Sequence, residues 1–341
     1  MSSDAHRRWW RRSEVWNVIS ALLLGQLASF ILALINFTSS LSANLGANSP
    51  VTLGLFGYVA LTVVNGSILL HQRHKLIIPW YWYTLLAFLD VQANYLVNSA
   101  YYFTSSTSVA LLDSSSVAWV ILFTWIFLGT KYSLWQLFGV ALCVAGFCLV
   151  LVSDDEASDE GGSNPLLGDI LVTGAEVFFA LSYVGEEFCV KNNGRLEVLT
   201  MLGLFGMLLS VIEIAILERK NLEAVTWSAE LILTFVGYTV GFFMFYTLTP
   251  LILQKSGATL FNLSLLTANM WVVVIRIFFY HEQVDWLYYV SFSIVGVGLC
   301  IYSKNEKNSD RLQKPENGIF NTQYQLVHEQ CTDSRVFTDK I

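Results

Sequence analysis

Ten apolar segments, at 15–37, 50–71, 77–98, 104–128, 134–153, 167–189, 198–218, 231–253, 256–280 and 285–303, take up most of this 341-residue chain. Each is near the ~20 residues a helix needs to cross a bilayer. In lipid a spanning segment must satisfy its own backbone hydrogen bonds, so the expected fold is an all-α polytopic membrane protein with ten transmembrane helices. Only 13% of the residues are charged and 55% are hydrophobic, whereas soluble domains are about a quarter charged. Zinc-ligand spacing, a nucleophile elbow, a phosphate loop and a basic nucleic-acid patch are all missing from the sequence. No enzymatic chemistry, metal, cofactor or nucleic-acid partner is therefore expected.

The basic residues fix the direction of threading. Arg7, Arg8, Arg11 and Arg12 precede the first segment, and Arg73, Lys75, Lys131, Lys191, Arg195 and Lys255 fall in connections on the same side. The tail adds Lys304, Lys307, Arg311, Lys314, Arg335 and Lys340, while the opposite side holds only Arg219 and Lys220. This asymmetry predicts that both termini are cytosolic. Residues 1–14 are then a cytosolic flank, with Trp9, Trp10 and, just past it, Trp16 as interfacial anchors, and the hydrophilic stretch 304–341 a disordered cytosolic tail. The acidic stretch 154–166 is a non-cytosolic linker between two five-segment repeats, 15–153 and 167–303. Five is odd, so the second repeat crosses the membrane opposite to the first. Such inverted repeats bracket a midplane site in many secondary carriers. A shift of 150 residues supports the pairing. Thr84/Thr234, Ser106/Ser256, Ala118/Ala268, Gly146/Gly296 and Ser153/Ser303 coincide, and Tyr95 falls opposite Phe245.

Four segments carry polar residues at helical spacing. Asp90, Asn94 and Asn98 share one face, and Ser106, Ala110, Asp113, Val117 and Thr124 share another. Glu176, Ala180, Tyr183 and Glu187 form a third stripe, and Asn262, Asn269 and Arg276 a fourth. A carboxylate at membrane depth costs ~2.5 kcal/mol or more unless it faces a cavity or a partner. Any one of these residues reads equally well as a structural hydrogen bond between helices, and Glu187 and Glu213, near segment ends, read better that way. Stripes from both repeats together point to one internal pathway. Tyr95 and Tyr183 lie beside polar positions and suit stacking on a planar ligand. Trp80, Tyr81, Trp82, Tyr83, Tyr101, Tyr102 and Trp135 read as interface belts. Arg276, about one turn from the non-cytosolic surface, must either snorkel or pair with Asp113, Glu176 or Asp90. Gly237/Gly241 and Gly139/Gly146 predict close helix packing.

The blocks DVQANYLV at 90–97, TSVALLD at 107–113, LSYVGEEFCVK at 181–191 and LQKSGATLFNLSLLTANMW at 253–271 resemble the F-type branch of solute carrier family 35, in the drug/metabolite transporter superfamily. HEQVDWLYY at 281–289 is similar to its plant-type members. The resemblance covers about 15–303 and implies a ten-helix inverted repeat around a central cavity. The chain departs from the branch at Asn269, where an acid is common, and at Ser114–Ser116, which is more polar than usual.

The expected function is a secondary carrier or exchanger of a small polar organic solute, nucleobase- or nucleoside-like, with Asp90, Asn94, Tyr95, Asp113, Glu176, Tyr183, Asn262, Asn269 and Arg276 along the pathway. Burial in low dielectric favours the protonated carboxyl, which makes Asp90 or Asp113 suited to a coupling proton. The other expected partner is the lipid bilayer, with a homodimer left open. The alternatives are an endomembrane nucleotide-sugar antiporter and a non-transporting scaffold acting through its tail, where Tyr324-Gln-Leu-Val327 fits a sorting signal. Golgi or other endomembrane, vacuolar and plasma membranes fit the sequence equally. The topology is testable with epitope tags at each terminus and in the loop after Asp154. Both terminal tags should need permeabilisation and the loop tag should not share their side; termini on opposite faces would sink the ten-segment reading.

Overall fold

A computed structural model describes residues 3–47, 49–72, 79–104, 106–154, 164–192, 194–225, 228–275 and 286–310. Regular structure among them is helical. The elements are α1 (Ser3–Asn44), α2 (Pro50–Gln72), α3 (Trp80–Ala100), α4 (Ser106–Asp113), α5 (Ser116–Phe123), α6 (Leu134–Asp154), α7 (Pro165–Asn192), α8 (Arg195–Glu213), α9 (Arg219–Ala224), α10 (Ala229–Leu265), α11 (Ala268–Ile275) and α12 (Trp286–Asp310). π-helical turns at Thr124–Leu128 and Ile214–Glu218 extend α5 and α8. Among the described residues, Ile19–Asn44, Pro50–Gln72, Pro165–Asn192, Arg195–Glu218 and Ala229–Leu265 are long and apolar enough to cross a membrane. Ser116–Leu128 and Leu134–Gly146 are shorter apolar helices.

The sequence predicts continuous segments at 104–128 and 256–280, and the structure corrects both. The first is interrupted at Ser114–Ser115, between α4 and α5. The second is interrupted at Leu266–Thr267, between α10 and α11, and its predicted end, 276–280, lies outside the described residues. Conversely, the segments predicted at 231–253 and 256–280 are joined in one helical run. A single non-helical residue divides that run, Gly257 with φ 75° and ψ 171°. This region of backbone space is essentially confined to glycine, so the boundary falls where the sequence permits it. Helix also reaches into the predicted flanks, with α1 starting at Ser3 and α12 ending at Asp310. The rest of the predicted tail and the linker core, 155–163, lie outside the described residues.

The packing partners recur in pairs. α1 lies along α10 and α11, as α7 lies along α3 and the α4–α5 pair. α2 packs on α10 as α8 packs on α3, while α2 with α8 and α6 with α12 form two direct contacts. Small residues set the approach. A Cβ at Gly241 would come within 2.9 Å of Ile35, and one at Gly237 within 3.4 Å of Thr38. A Cβ at Gly139 would meet the Gly298 carbonyl at 2.9 Å, and one at Gly146 the Ser291 carbonyl at 3.1 Å. Backbone cannot yield as a flexible side chain does. Gly139→Val should therefore lower stability by about 1–3 kcal/mol. Gly296→Ala, where nothing lies within 4 Å, should be neutral or stabilising by up to ~1 kcal/mol. Thermal melts in detergent compare the two, and equal melts would refute the α6–α12 approach.

Candidate functional site

The spacing of Asp90, Asn94 and Asn98 turns one face of α3 toward α1, α2 and α10. Asp90 is fully buried. Its Oδ2 accepts from the Tyr58 hydroxyl at 2.6 Å, and the Tyr246 hydroxyl lies 2.8 Å from both carboxylate oxygens. One turn further, Asn94 Nδ2 lies 2.9 Å from the Tyr246 hydroxyl and 3.3 Å from that of Tyr58. At the next turn Asn98 accepts from Ser39 at 2.7 Å and donates to Tyr238 at 3.2 Å. Phe242 holds the phenols in place, stacked on Tyr246 at 4.1 Å and edge-on to Tyr58 at 4.9 Å. This first cluster ties four helices around one carboxylate.

A second cluster forms where α4 breaks. The Ser116 hydroxyl lies 2.7 Å from the Asp113 carbonyl and 2.9 Å from Asn262 Oδ1. Serine hydroxyls compete with the helix for its own carbonyls, which accounts for the interruption inside the Ser114–Ser116 run. The Glu176 carboxyl, from α7, meets the Asp113 carboxyl and the Ser116 hydroxyl. Glu176 is 2% exposed, and its Oε1 has no hydrogen-bond partner among the described residues. The other break is built alike. Thr267 Oγ1 lies 2.7 Å from the Ser264 carbonyl, 2.7 Å from Ser29 Oγ and 3.1 Å from Gln26 Oε1. Gln26 also accepts from the Trp271 indole at 3.3 Å.

Tyr183 lies between the clusters, stacked on Phe179 at 5.8 Å and edge-on to Phe261 at 5.2 Å, within electrostatic range of Asp90, Asp113, Glu176 and Glu186. The structure thus brings Asp90 and Asn94 into one cluster and Asp113, Glu176 and Asn262 into another. Tyr95 is half-buried and joins none of these hydrogen bonds. Arg276 and the side chain of Asn269 lie outside the described residues. Glu187 is a capping group: its Oε2 accepts from Ala258 N at 2.7 Å, just past the Gly257 break, and its Oε1 pairs with Lys191 at 2.5 Å. Glu213 is bonded to Gln92. Among the predicted belt aromatics, Tyr83 is instead buried and donates to Glu197 at 2.8 Å.

Sequence reasoning missed Tyr58 and Tyr246, because each sits in an apolar run where an aromatic reads as core. It also missed Glu186, 1% exposed with Oε2 lacking a partner among the described residues. Its signal was its position three residues after Tyr183.

A family model described as solute carrier family 35, of the F type, matches residues 14–304. The chain belongs to solute carrier family 35. It is 31% identical over 318 residues to mouse solute carrier family 35 member F2, covering 91% of this chain and 84% of that protein. To the Xenopus tropicalis member F2 it is 33% identical over 298 residues, covering 84% and 76%. An uncharacterized family member of Schizosaccharomyces pombe is 31% identical over 286 residues, covering 82% of this chain and 56% of that protein. A solved crystal structure aligns with a TM-score of 0.64 at 16% identity, covering 83% of this chain and 98% of its own, which shows a shared fold. This solute carrier family 35 chain is accordingly a multi-pass membrane carrier and not an enzyme.

In this family member Tyr246→Phe removes one hydroxyl from Asp90 and Asn94 together. The expected cost is ~1.5–3 kcal/mol, the range for hydrogen bonds to a charged group. On an Asp90→Asn background the cost should shrink, because the charge is gone. Melts of the two single variants and the double variant test this, and strict additivity would remove the Tyr246–Asp90 bond from the account.

Proposed function

We propose that this chain is a secondary carrier of a small polar organic solute, nucleobase- or nucleoside-like, working by alternating access between two inverted five-helix repeats. The carrying observation is the Ser116–Asn262 hydrogen bond, which joins the two interrupted stretches of helix across the repeats. Interrupted helices at matching positions mark the site in many transporters of this kind. The 150-residue shift supports the repeat. It pairs Glu176, beside the first break, with Gln26, beside the second, and Ser116 with Leu266, next to Thr267. The paired packing of the helices supports it too.

In this reading the repeats are 15–153 and 167–303, and both termini are cytosolic. The pathway runs past Asp90, Asn94, Tyr95, Asp113, Glu176, Tyr183, Asn262, Asn269 and Arg276. Tyrosine faces, amides and carboxylates together suit a planar ring that both donates and accepts hydrogen bonds. A nucleotide sugar fits less well, because phosphates favour several cations and the fully buried charged residues described are Asp and Glu.

Uptake into proteoliposomes of labelled nucleobases, nucleosides and nucleotide sugars tests the reading. A nucleobase or nucleoside should enter, and Asn94→Ala should raise its half-saturation concentration roughly 10- to 100-fold, from ~1.5–3 kcal/mol of lost hydrogen bonding. Removing 305–341 should leave uptake intact. Exchange confined to nucleotide sugars would favour the antiporter, and no uptake with function lost on tail removal would favour a scaffold.

A further inference from the structure

Among the described residues, the neighbourhood of Asp113 and Glu176 has more acceptors than donors. The two carboxyls meet each other, and the single proton of Ser116 is shared among the Asp113 carbonyl, Asn262 Oδ1 and the Glu176 carboxyl. Turning the Asn262 amide around would give Ser116 a donor but would leave the buried Glu176 Oε1 without one. Around Asp90 the count is reversed, since two phenols donate to one carboxylate. Two carboxylates in contact cannot both stay ionised at low cost unless a cation neutralises them. Among the described residues the other titratable groups acting on the pair are Tyr101, from the turn after α3, and Tyr183, from α7. Neither tyrosine is basic, and neither is a hydrogen-bond donor to Glu176 Oε1. Asn262, from α10, is a neutral amide. The equivalent place in the other repeat carries no acid: Gln26 stands for Glu176 and Leu263 for Asp113.

We propose that Asp113 and Glu176 form a proton-binding site, holding one proton between their carboxyls that the carrier takes up on one face and releases on the other. This rests on the carrier reading above and gives that carrier a coupling ion. Uptake adds one proton to the empty pair and release removes the same proton, so no other bond changes. The solute is left to the Asp90 cluster, where the carboxylate is already supplied with donors. The repeat built around Gln26 takes no part in the protonation.

Infrared difference spectra of the full chain in lipid discs, stepped between mildly alkaline and mildly acidic pH, test the site without a solute. At neutral pH the wild type should show a protonated carboxylic-acid band that shifts in deuterated water. Glu176→Gln and Asp113→Asn should each abolish that band, because the remaining carboxyl loses the partner that made it keep the proton, and Asp90→Asn should not. A wild type without the band, as expected if Arg276 neutralises the pair, would overturn the proposal. So would a band unchanged in both variants. If one variant fails to fold, by thermal melt, the other decides. In proteoliposomes with adenine and adenosine as probes, an opposed pH gradient should drive accumulation by about tenfold per pH unit for one proton per solute, and Glu176→Gln should lose that response. Wild-type uptake indifferent to the gradient, or driven by sodium instead, sinks the proton site. No uptake of either probe sinks the nucleobase- or nucleoside-carrier reading and leaves the infrared result to decide the site.

Discussion

A carboxylate at membrane depth has no bulk water to accept hydrogen bonds from, so its donors must come from other helices. Asp90 obtains two phenols, Tyr58 from α2 and Tyr246 from α10, and Asn94 binds the same phenols one turn away. Helix association in lipid lacks the hydrophobic drive available in water. Polar contacts of this kind, with the small residues that let backbones approach, therefore decide which helices meet. The Asp90 cluster makes the positions of α2, α3 and α10 depend on one another. Ser39 and Tyr238 extend that dependence to α1 through Asn98.

The two helix breaks follow from the same constraint. Interrupting a helix in lipid frees backbone carbonyls that must find donors. At each break a hydroxyl takes a carbonyl three residues back, Ser116 on Asp113 and Thr267 on Ser264. Each hydroxyl is then held by a neighbouring helix, Ser116 near Glu176 of α7 and Thr267 beside Ser29 and Gln26 of α1. The construction is shared while the chemistry differs, acid on one side and amide on the other. The difference falls on the residues nearest the interruptions.

Much of this was legible in the sequence. Apolar length gave a helical membrane protein, with five helices long and apolar enough to cross a membrane among the described residues, and the four-residue spacing of Asp90, Asn94 and Asn98 identified the face on which their hydrogen bonds lie. The stripes through Asp113 and through Asn262 were less secure, because shared-face arguments assume an unbroken helix. Val117 and Thr124 do not lie on one continuous helix with Asp113, nor Asn269 with Asn262, once the breaks intervene. The Ser114–Ser116 run was the available signal. It was noted as polarity, whereas its physical consequence is competition for backbone carbonyls. The donors to Asp90 were hidden for another reason: a tyrosine within an apolar run shows its ring to the pattern and its hydroxyl only to its neighbours.

The two repeats proposed here also differ in how their third and fourth segments connect. In the first, α3 ends in turns through Tyr101–Thr104, closed by Phe103 N to the Ala100 carbonyl at 2.9 Å. In the second, α10 passes through Gly257 alone, and Thr107 occupies the equivalent position in the first repeat. Threonine does not adopt the conformation of Gly257 without strain, so the one-residue break is unavailable there. Past that break the Ala258 amide would be an unsatisfied helix N-terminus. Glu187 supplies the acceptor and Lys191 offsets its charge. Phe37 stands where the first repeat would need such a carboxylate. A cap reaching from α7 to the chain after Gly257 ties those two elements there. The corresponding ends of the proposed repeats are therefore held by different interactions, even on a scaffold whose helices pack in matching pairs.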